Sequence, residues 1–176
     1  EAGYDTGELP VDGDKLIAQL EAGPTNQGVK GKFYERFTMA NYQLFFENLS
    51  EEVQKAVRDR WGSPEIDPMF VSDKAGCGHF AISAFKLGKV AICLQPARGY
   101  NIDPKSSYHD PDLVPPHGYL AFYGWLRYEF GADAVIHFGK HGNLEWLPGK
   151  SLGLSNQCFP EVTLGPTPHL YPFIVN

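Results

Sequence analysis

Little in this sequence suits an extracellular, membrane-spanning or nucleic-acid-binding protein. The 176 residues contain three cysteines, Cys77, Cys93 and Cys158, an odd number with no C-x-x-C pair. That usage excludes a disulfide framework and predicts free thiols in a reducing cytoplasm. No apolar run approaches the ~18 residues that a membrane helix needs, and no signal peptide opens the chain. Lys and Arg number 15 against 21 Asp and Glu, a net charge of -6. There is thus no general basic footprint for nucleic acid or an anionic membrane, although a local basic pocket stays open. An initiating Met is missing as well: the chain opens at Glu1 and stops abruptly at Asn176, which predicts a section of something longer.

What the chain does have is a core and many turns. Hydrophobic residues make up 43%, with 12 Phe, 9 Tyr and 3 Trp. A chain of this size buries roughly 70% of its unfolded surface, so disorder is excluded as the overall state. There are 19 glycines and 14 prolines, about a fifth of the chain against a usual ~12%. Without a repeat period, that content predicts loops of fixed shape, as a site-bearing scaffold requires.

The chain divides into a helical, partly looped lead-in over 1–65 and an α/β section over 66–176. Helices are expected at Asp14–Glu21, Tyr34–Phe46 and Ser50–Trp61. The last has Ser50 as N-cap, Glu51 and Glu52 at its positive end and Gly62 as its stop. Phe80–Lys86 alternates like a half-buried strand, Leu87-Gly-Lys89 is a turn, and Val90–Leu94 is an apolar run typical of a buried strand. Gly118–Phe130 is apolar nearly all round and ends at Gly131, as a buried crossover helix would. Ala134–Phe138 is a second buried strand, and His169–Val175 an edge strand. The fold class is therefore α/β, with a βαβ unit from Val90 to Phe138 in a mixed, mostly parallel sheet. Ligands in such sheets bind beyond the carboxyl ends of the strands, which makes the loops Gln95–Tyr100 and Gly139–Glu145 the site candidates.

The sharpest constellation is His137-x3-His141-x3-Glu145, with Lys140 and two glycines interleaved. On a continuous helix the histidines would suggest metal ligands, but Gly139 and Gly142 argue for a strand-to-helix turn. A His and a Glu at such a turn suit proton transfer, while His137 could equally be a core histidine satisfied by backbone. Tyr108-His-Asp-Pro-Asp112 and His117 form a second polar group in a long loop, functional or a solvated Asx turn. Arg98, with Gln95, is either a carboxylate clamp or half of a surface ion pair. Two apparent nucleotide motifs fail. Leu147-Pro-Gly-Lys-Ser151 lacks the P-loop glycine, since position 144 is Leu, and Gly76-Cys-Gly-His-Phe-Ala81 precedes a strand rather than opening a helix. The residues alone also leave room for a metal-dependent hydrolase built on His137, His141 and Glu145.

Three motifs carry a resemblance over residues 60–176: Leu94-Gln-Pro-Ala-Arg-Gly-Tyr-Asn-Ile-Asp-Pro-Lys105, Tyr108-His-Asp-Pro-Asp-Leu-Val-Pro-Pro-His117, and His137-Phe-Gly-Lys-His-Gly-Asn-Leu-Glu-Trp-Leu-Pro-Gly-Lys150. Together they resemble the large CobN-type subunits of aerobic cobaltochelatase, relatives of the porphyrin-binding subunit of magnesium chelatase. The magnesium version reads H-F-G-T-H-G-S-L-E-F-M-P-G-K at the third motif, so Lys140, Asn143 and Trp146 favour the cobalt branch. The resemblance implies insertion of Co²⁺, as substrate metal, into the corrin precursor hydrogenobyrinic acid a,c-diamide during cobalamin synthesis. It also implies that ATP and Mg²⁺ are used by separate AAA+ partner subunits, not by this chain. On that reading Glu145 and His141 are catalytic, and His137 and His141 meet the metal transiently. Gln95, Arg98, Tyr100, His109, Asp112, His117, Lys140, Trp146 and Lys150 bind substrate. A magnesium-type subunit and a non-catalytic tetrapyrrole- or partner-binding module are the alternatives.

Overall fold

The computed structural model describes residues 7, 12–25, 28–29, 31, 35–73, 77–100, 110–139, 144–151 and 155–172. Helix α1 (Gly13–Glu21) starts where Asp12 accepts the Lys15 N–H at 3.0 Å, and buries only Leu20. Over 34–46 the expected single helix is two elements. Glu35–Thr38 forms strand β1, and α2 begins at Met39 and runs to Glu47. The reason is local: Glu-Arg-Phe-Thr alternates so that Glu35 and Phe37 share the inner face, Phe37 being the buried one, and the Thr38 hydroxyl then accepts the Asn41 N–H at 3.1 Å, opening the helix. Helix α3 (Glu51–Trp61) is as expected. Ser50 caps it, Val53 and Val57 are its buried stripe, and Gly62 ends it at φ +75°, where a side chain would be strained.

Strands β2 (Phe70–Ser72) and β3 (Gly78–Ile82) complete a three-stranded antiparallel sheet in the order β1-β3-β2. Its register places Phe37 and Phe70 opposite Phe80. The strand expected over Phe80–Lys86 breaks at the buried Ser83, whose hydroxyl donates to the Leu20 carbonyl at 3.3 Å. Beyond it β4 (Ala84–Leu87) turns through Gly88, at φ +62°, into β5 (Val90–Cys93), an antiparallel hairpin. Strand β6 covers only Val135–Ile136 and pairs in parallel with β7 (His169–Leu170).

The architecture is thus mixed α/β, but among the described residues the mostly parallel βαβ sheet does not form. Strands β5 and β6 belong to different sheets, and the pairing is mostly antiparallel. Closing a two-residue hairpin costs far less entropy than bringing together strands forty residues apart, so β5 takes β4 as its partner.

Helix α4 (His117–Gly124) fills the middle of the core, with all eight residues buried. It continues as a π-helical turn, Trp125–Glu129, with the Phe130 N–H on the Trp125 carbonyl at 2.8 Å, and Gly131 follows at φ +70°. The expected helix over 118–130 is therefore present, with one loosened turn. Phe37, Tyr42 and Phe80 pack around it, so a single core spans both sides of position 65. Close approach needs Gly124: a Cβ there would lie 2.8 Å from Phe37 Cε1. Helix α5 (Phe159–Leu164) is tied to the π-turn by Arg127, which donates to the Val162 and Thr163 carbonyls at 3.0 and 3.2 Å.

Candidate active site

Two loops meet at one place on this frame. The first follows β5. Gln95 Nε2 donates to the Tyr123 hydroxyl at 2.7 Å and lies 3.2 Å from His137 Nε2. Tyr123 Oη is itself 3.4 Å from that nitrogen. The second is the 3₁₀ turn Leu144–Trp146. Leu-Glu-Trp-Leu has apolar residues at both ends, and burial of Leu144 and Leu147 pins the turn to the core while Glu145 and Trp146 stay exposed. Arg98 joins the loops. The residue is 5% exposed, and its guanidinium donates to the Trp146 carbonyl and, at 3.1 Å, to the Asp110 carbonyl. The described contacts thus join the Gln95–Tyr100 loop to the Leu144–Trp146 turn through Arg98, while among the described residues no shared parallel sheet places them and residues 140–143 lie outside the description. The Arg98 contacts described are to backbone carbonyls.

His137 lies just past β6, and the parallel β6–β7 pairing brings His169 beside it. His137 Nδ1 is 2.8 Å from His169 Nε2, with the rings at 83°, and Tyr171 stacks on His169 at 6.1 Å. Burial first, and His169 second, push the His137 pKa down to about 4, so this imidazole is neutral at physiological pH. Burial lowers His169 too, with the Glu145 carboxylate opposing the fall. Burial raises Tyr123, and Glu145 adds to the rise. Glu145 is thus electrically coupled to both sides of the cluster. Next to it lies a cavity of about 530 Å³, lined by Val90, Cys93, Phe122, Leu126, Gln95 and His137 among others. The Cys93 thiol there is pushed up to about 12 by burial, which makes it a poor nucleophile or metal ligand at neutral pH.

Several expected site residues lie elsewhere. His117 is fully buried, its Nδ1 2.5 Å from Tyr42 Oη and its Nε2 3.0 Å from the Gly62 carbonyl oxygen. That burial removes it from substrate contact. The Tyr100 hydroxyl donates to Asp67 Oδ1 at 2.5 Å and its ring meets Trp61 edge-on, so it anchors its loop rather than presenting a stacking face. Asp112 is exposed in an Asx turn, its N–H on Asp110 Oδ1 at 2.9 Å. Lys150 is exposed beyond the second loop, its N–H on Cys158 Sγ at 3.2 Å. His109, Lys140 and His141 lie outside the described residues. His169 and Tyr171 were not singled out from the sequence, because nothing local connects them with a histidine 32 positions earlier. Among the described residues, no group of three or more His, Cys, Asp or Glu could hold a metal ion.

The profile of the family described as CobN/Magnesium Chelatase matches residues 1–176, the whole chain. The chain belongs to the CobN/magnesium chelatase family. Among CobN relatives, the aerobic cobaltochelatase subunit CobN of a Sinorhizobium species is 56% identical over 175 residues, covering 99% of this chain and 13% of that protein. The CobN subunit of Pseudomonas aeruginosa is 48% identical over 179 residues, covering 100% of this chain and 14% of its own length. The solved catalytic subunit of cobaltochelatase from Mycobacterium tuberculosis superimposes with a TM-score of 0.80 at 42% identity, over 99% of this chain and 15% of that one. This chain therefore spans about one seventh of the CobN proteins that it matches. No helix among the described residues is long and apolar enough to cross a membrane.

Proposed function

We propose that this chain is a section of the large subunit of an ATP-dependent cobaltochelatase, and that it carries metal-insertion chemistry on a corrin precursor, hydrogenobyrinic acid a,c-diamide. The observation that carries the reading is the meeting of the Gln95 and Glu145 loops around a neutral His137. Metal insertion has to take pyrrolic N–H protons from the ring while water leaves the cation. The exposed Glu145 carboxylate accepts such a proton, forming a carboxylic acid as the ring nitrogen takes the metal. His141 acts on the same step. Trp146 offers an exposed indole face to the flat ring, and Lys140 and Lys150 pair with its carboxylates. ATP is hydrolysed by AAA+ partner subunits, in keeping with the missing P-loop glycine at position 144. The assembly works in the cytoplasm.

In the intact subunit with its partners, Glu145→Gln is expected to lower the cobalt insertion rate by ~10²–10⁴ while corrinoid affinity stays within a few-fold, because size is kept and only proton uptake is lost. His141→Ala should act on the same step, and the double variant should lose less than the sum. A second reading, a tetrapyrrole-binding module whose base lies elsewhere, is favoured by this chain's spanning only about one seventh of the CobN proteins that it matches. Near-normal insertion by the Glu145→Gln, His141→Ala double variant with corrinoid binding intact would establish that second reading.

A further inference from the structure

We propose that His137 and His169 together form a weak, two-imidazole relay site for the divalent substrate metal, with Gln95 setting whether the pair holds a proton or a cation. The identity of the metal rests on the chelatase reading above; the site itself rests on geometry. Register brings the two rings together. Val135 pairs with His169 and Ile136 with Leu170, and the His137 N–H donates to the Leu170 carbonyl at 2.8 Å. The facing nitrogens, His137 Nδ1 and His169 Nε2, are 2.8 Å apart on rings 83° from coplanar. Two imidazole nitrogens in neighbouring positions on an octahedral ion, each ~2.1 Å from it, sit ~3 Å apart. The separation of the two nitrogens therefore already suits a cation in place of the bridging proton, and the rings need only turn so that both lone pairs point at the ion rather than along the line between them.

The remaining nitrogen of His137 is held as metal-ligating imidazoles are held, by an outer partner that fixes the tautomer. Gln95 Nε2 now donates both to Tyr123 Oη and toward His137 Nε2. His137 then carries its proton on Nδ1 and donates it to His169 Nε2. Turning the Gln95 amide over presents its oxygen instead. That oxygen accepts the Tyr123 O–H and an N–H from His137 Nε2, and leaves two lone pairs facing each other across the pair. Those lone pairs are satisfied by a cation. The proton count of His137 is unchanged; only its nitrogen changes.

With two protein ligands, the ion keeps most of its positions for water and then for the ring nitrogens. That suits a cargo that must leave, where a complete four-ligand cage would retain it. His169 is exposed and opens the pair to solvent, while Glu145 lies within electrostatic reach on the acceptor side.

The test is Co²⁺ titration of the intact subunit, without nucleotide or corrinoid, followed by visible absorption and by equilibrium dialysis. The wild type is expected to show an equivalent with the spectrum of nitrogen-ligated cobalt. His137→Asn and His169→Asn should each weaken that equivalent at least tenfold. Because His169 is exposed, its substitution leaves the core alone. Gln95→Glu, which fixes an acceptor on His137 Nε2, should tighten cobalt binding. No such equivalent in the wild type, or unchanged binding in His169→Asn, would overturn the proposal and leave the insertion reading standing. Glu145→Gln should bind Co²⁺ within a few-fold of wild type. If it did so and also inserted cobalt normally, Glu145 would fall as the proton acceptor and the relay pair would stand.

Discussion

Substituting Asp67 by Asn should loosen the candidate site from a distance. Asp67 is 8% exposed, and three donors converge on its carboxylate. Oδ1 accepts the Met69 N–H at 2.8 Å and the Tyr100 hydroxyl at 2.5 Å; Oδ2 accepts the Gly118 N–H at 2.9 Å. Gly118 is the second residue of α4, so its N–H is one that the helix itself leaves unpaired. Burial raises the Asp67 pKa, and the Tyr100, Met69 and Gly118 bonds pull it back. Asparagine has a single acceptor oxygen. Placed at the Oδ1 position it keeps two donors and turns its NH₂ against the Gly118 N–H, stranding one buried donor at ~1–3 kcal/mol. The reverse orientation strands two. Hydrogen–deuterium exchange on the intact protein reads this locally. The amides of 113–124, and of 95–100 through the lost Tyr100 anchor, should exchange roughly 5- to 150-fold faster, the kinetic equivalent of that energy. Tyr100→Phe removes a donor without leaving an orphan and should cost less, about 0.5–1.5 kcal/mol. Unchanged protection of both segments in Asp67→Asn would refute the anchoring argument.

Gly124→Ala should destabilise by about 1–3 kcal/mol despite alanine's better helix propensity, because the new Cβ meets Phe37 Cε1 at 2.8 Å and Phe45 Cδ1 at 3.2 Å; a lower denaturation midpoint checks it. Acid should also destabilise through His117, whose pKa burial lowers below the ordinary 6.5. The unfolded chain then binds the proton more readily than the folded one, so this contribution is complete above pH 6.5 and is lost as pH falls below it, by at most ~1.4 kcal/mol per pH unit. Thermal melts from pH 7.5 to 5 should show a shallower decline in His117→Asn than in wild type, and identical slopes would contradict the assignment.

What the sequence made legible was local in cause. Ser50 and Gly62 bracket α3 because capping and positive φ are properties of single residues. The all-apolar run at 118–130 was legible as a buried helix from its own residues. Pairing was not legible. Ala-Val-Ile-His-Phe looks like a buried strand, yet Ile136 is 62% and Phe138 83% exposed, because an apolar run does not say which neighbour covers it. Ser83 breaks one expected strand into members of two sheets through a bond to Leu20, 63 positions earlier. At the site, His117 and Tyr100 resemble ligand groups in sequence because they are polar residues in motif loops. Their partners, Tyr42 and Asp67, lie in segments where no motif draws attention. His169 escaped for the converse reason: its significance comes only from the register of two short strands.

The three-stranded sheet has an order that matters while the chain is being made. Strand β3, the middle one, is the last of the three to be synthesised, and among the described residues β1 and β2 pair only with it. From Glu35 to its partner Ile82 a ribosome working at 5–20 residues per second needs roughly 2–9 s. Throughout that interval Phe37 and both edges of β1 have no sheet to join, and β2 arrives without relieving either. Helix α4, which closes over β1 and β3, emerges later still. The nascent chain thus passes through a stage with an aromatic strand exposed, when holding by a chaperone, or a pause placed after β3 rather than before it, would decide how much of the product folds.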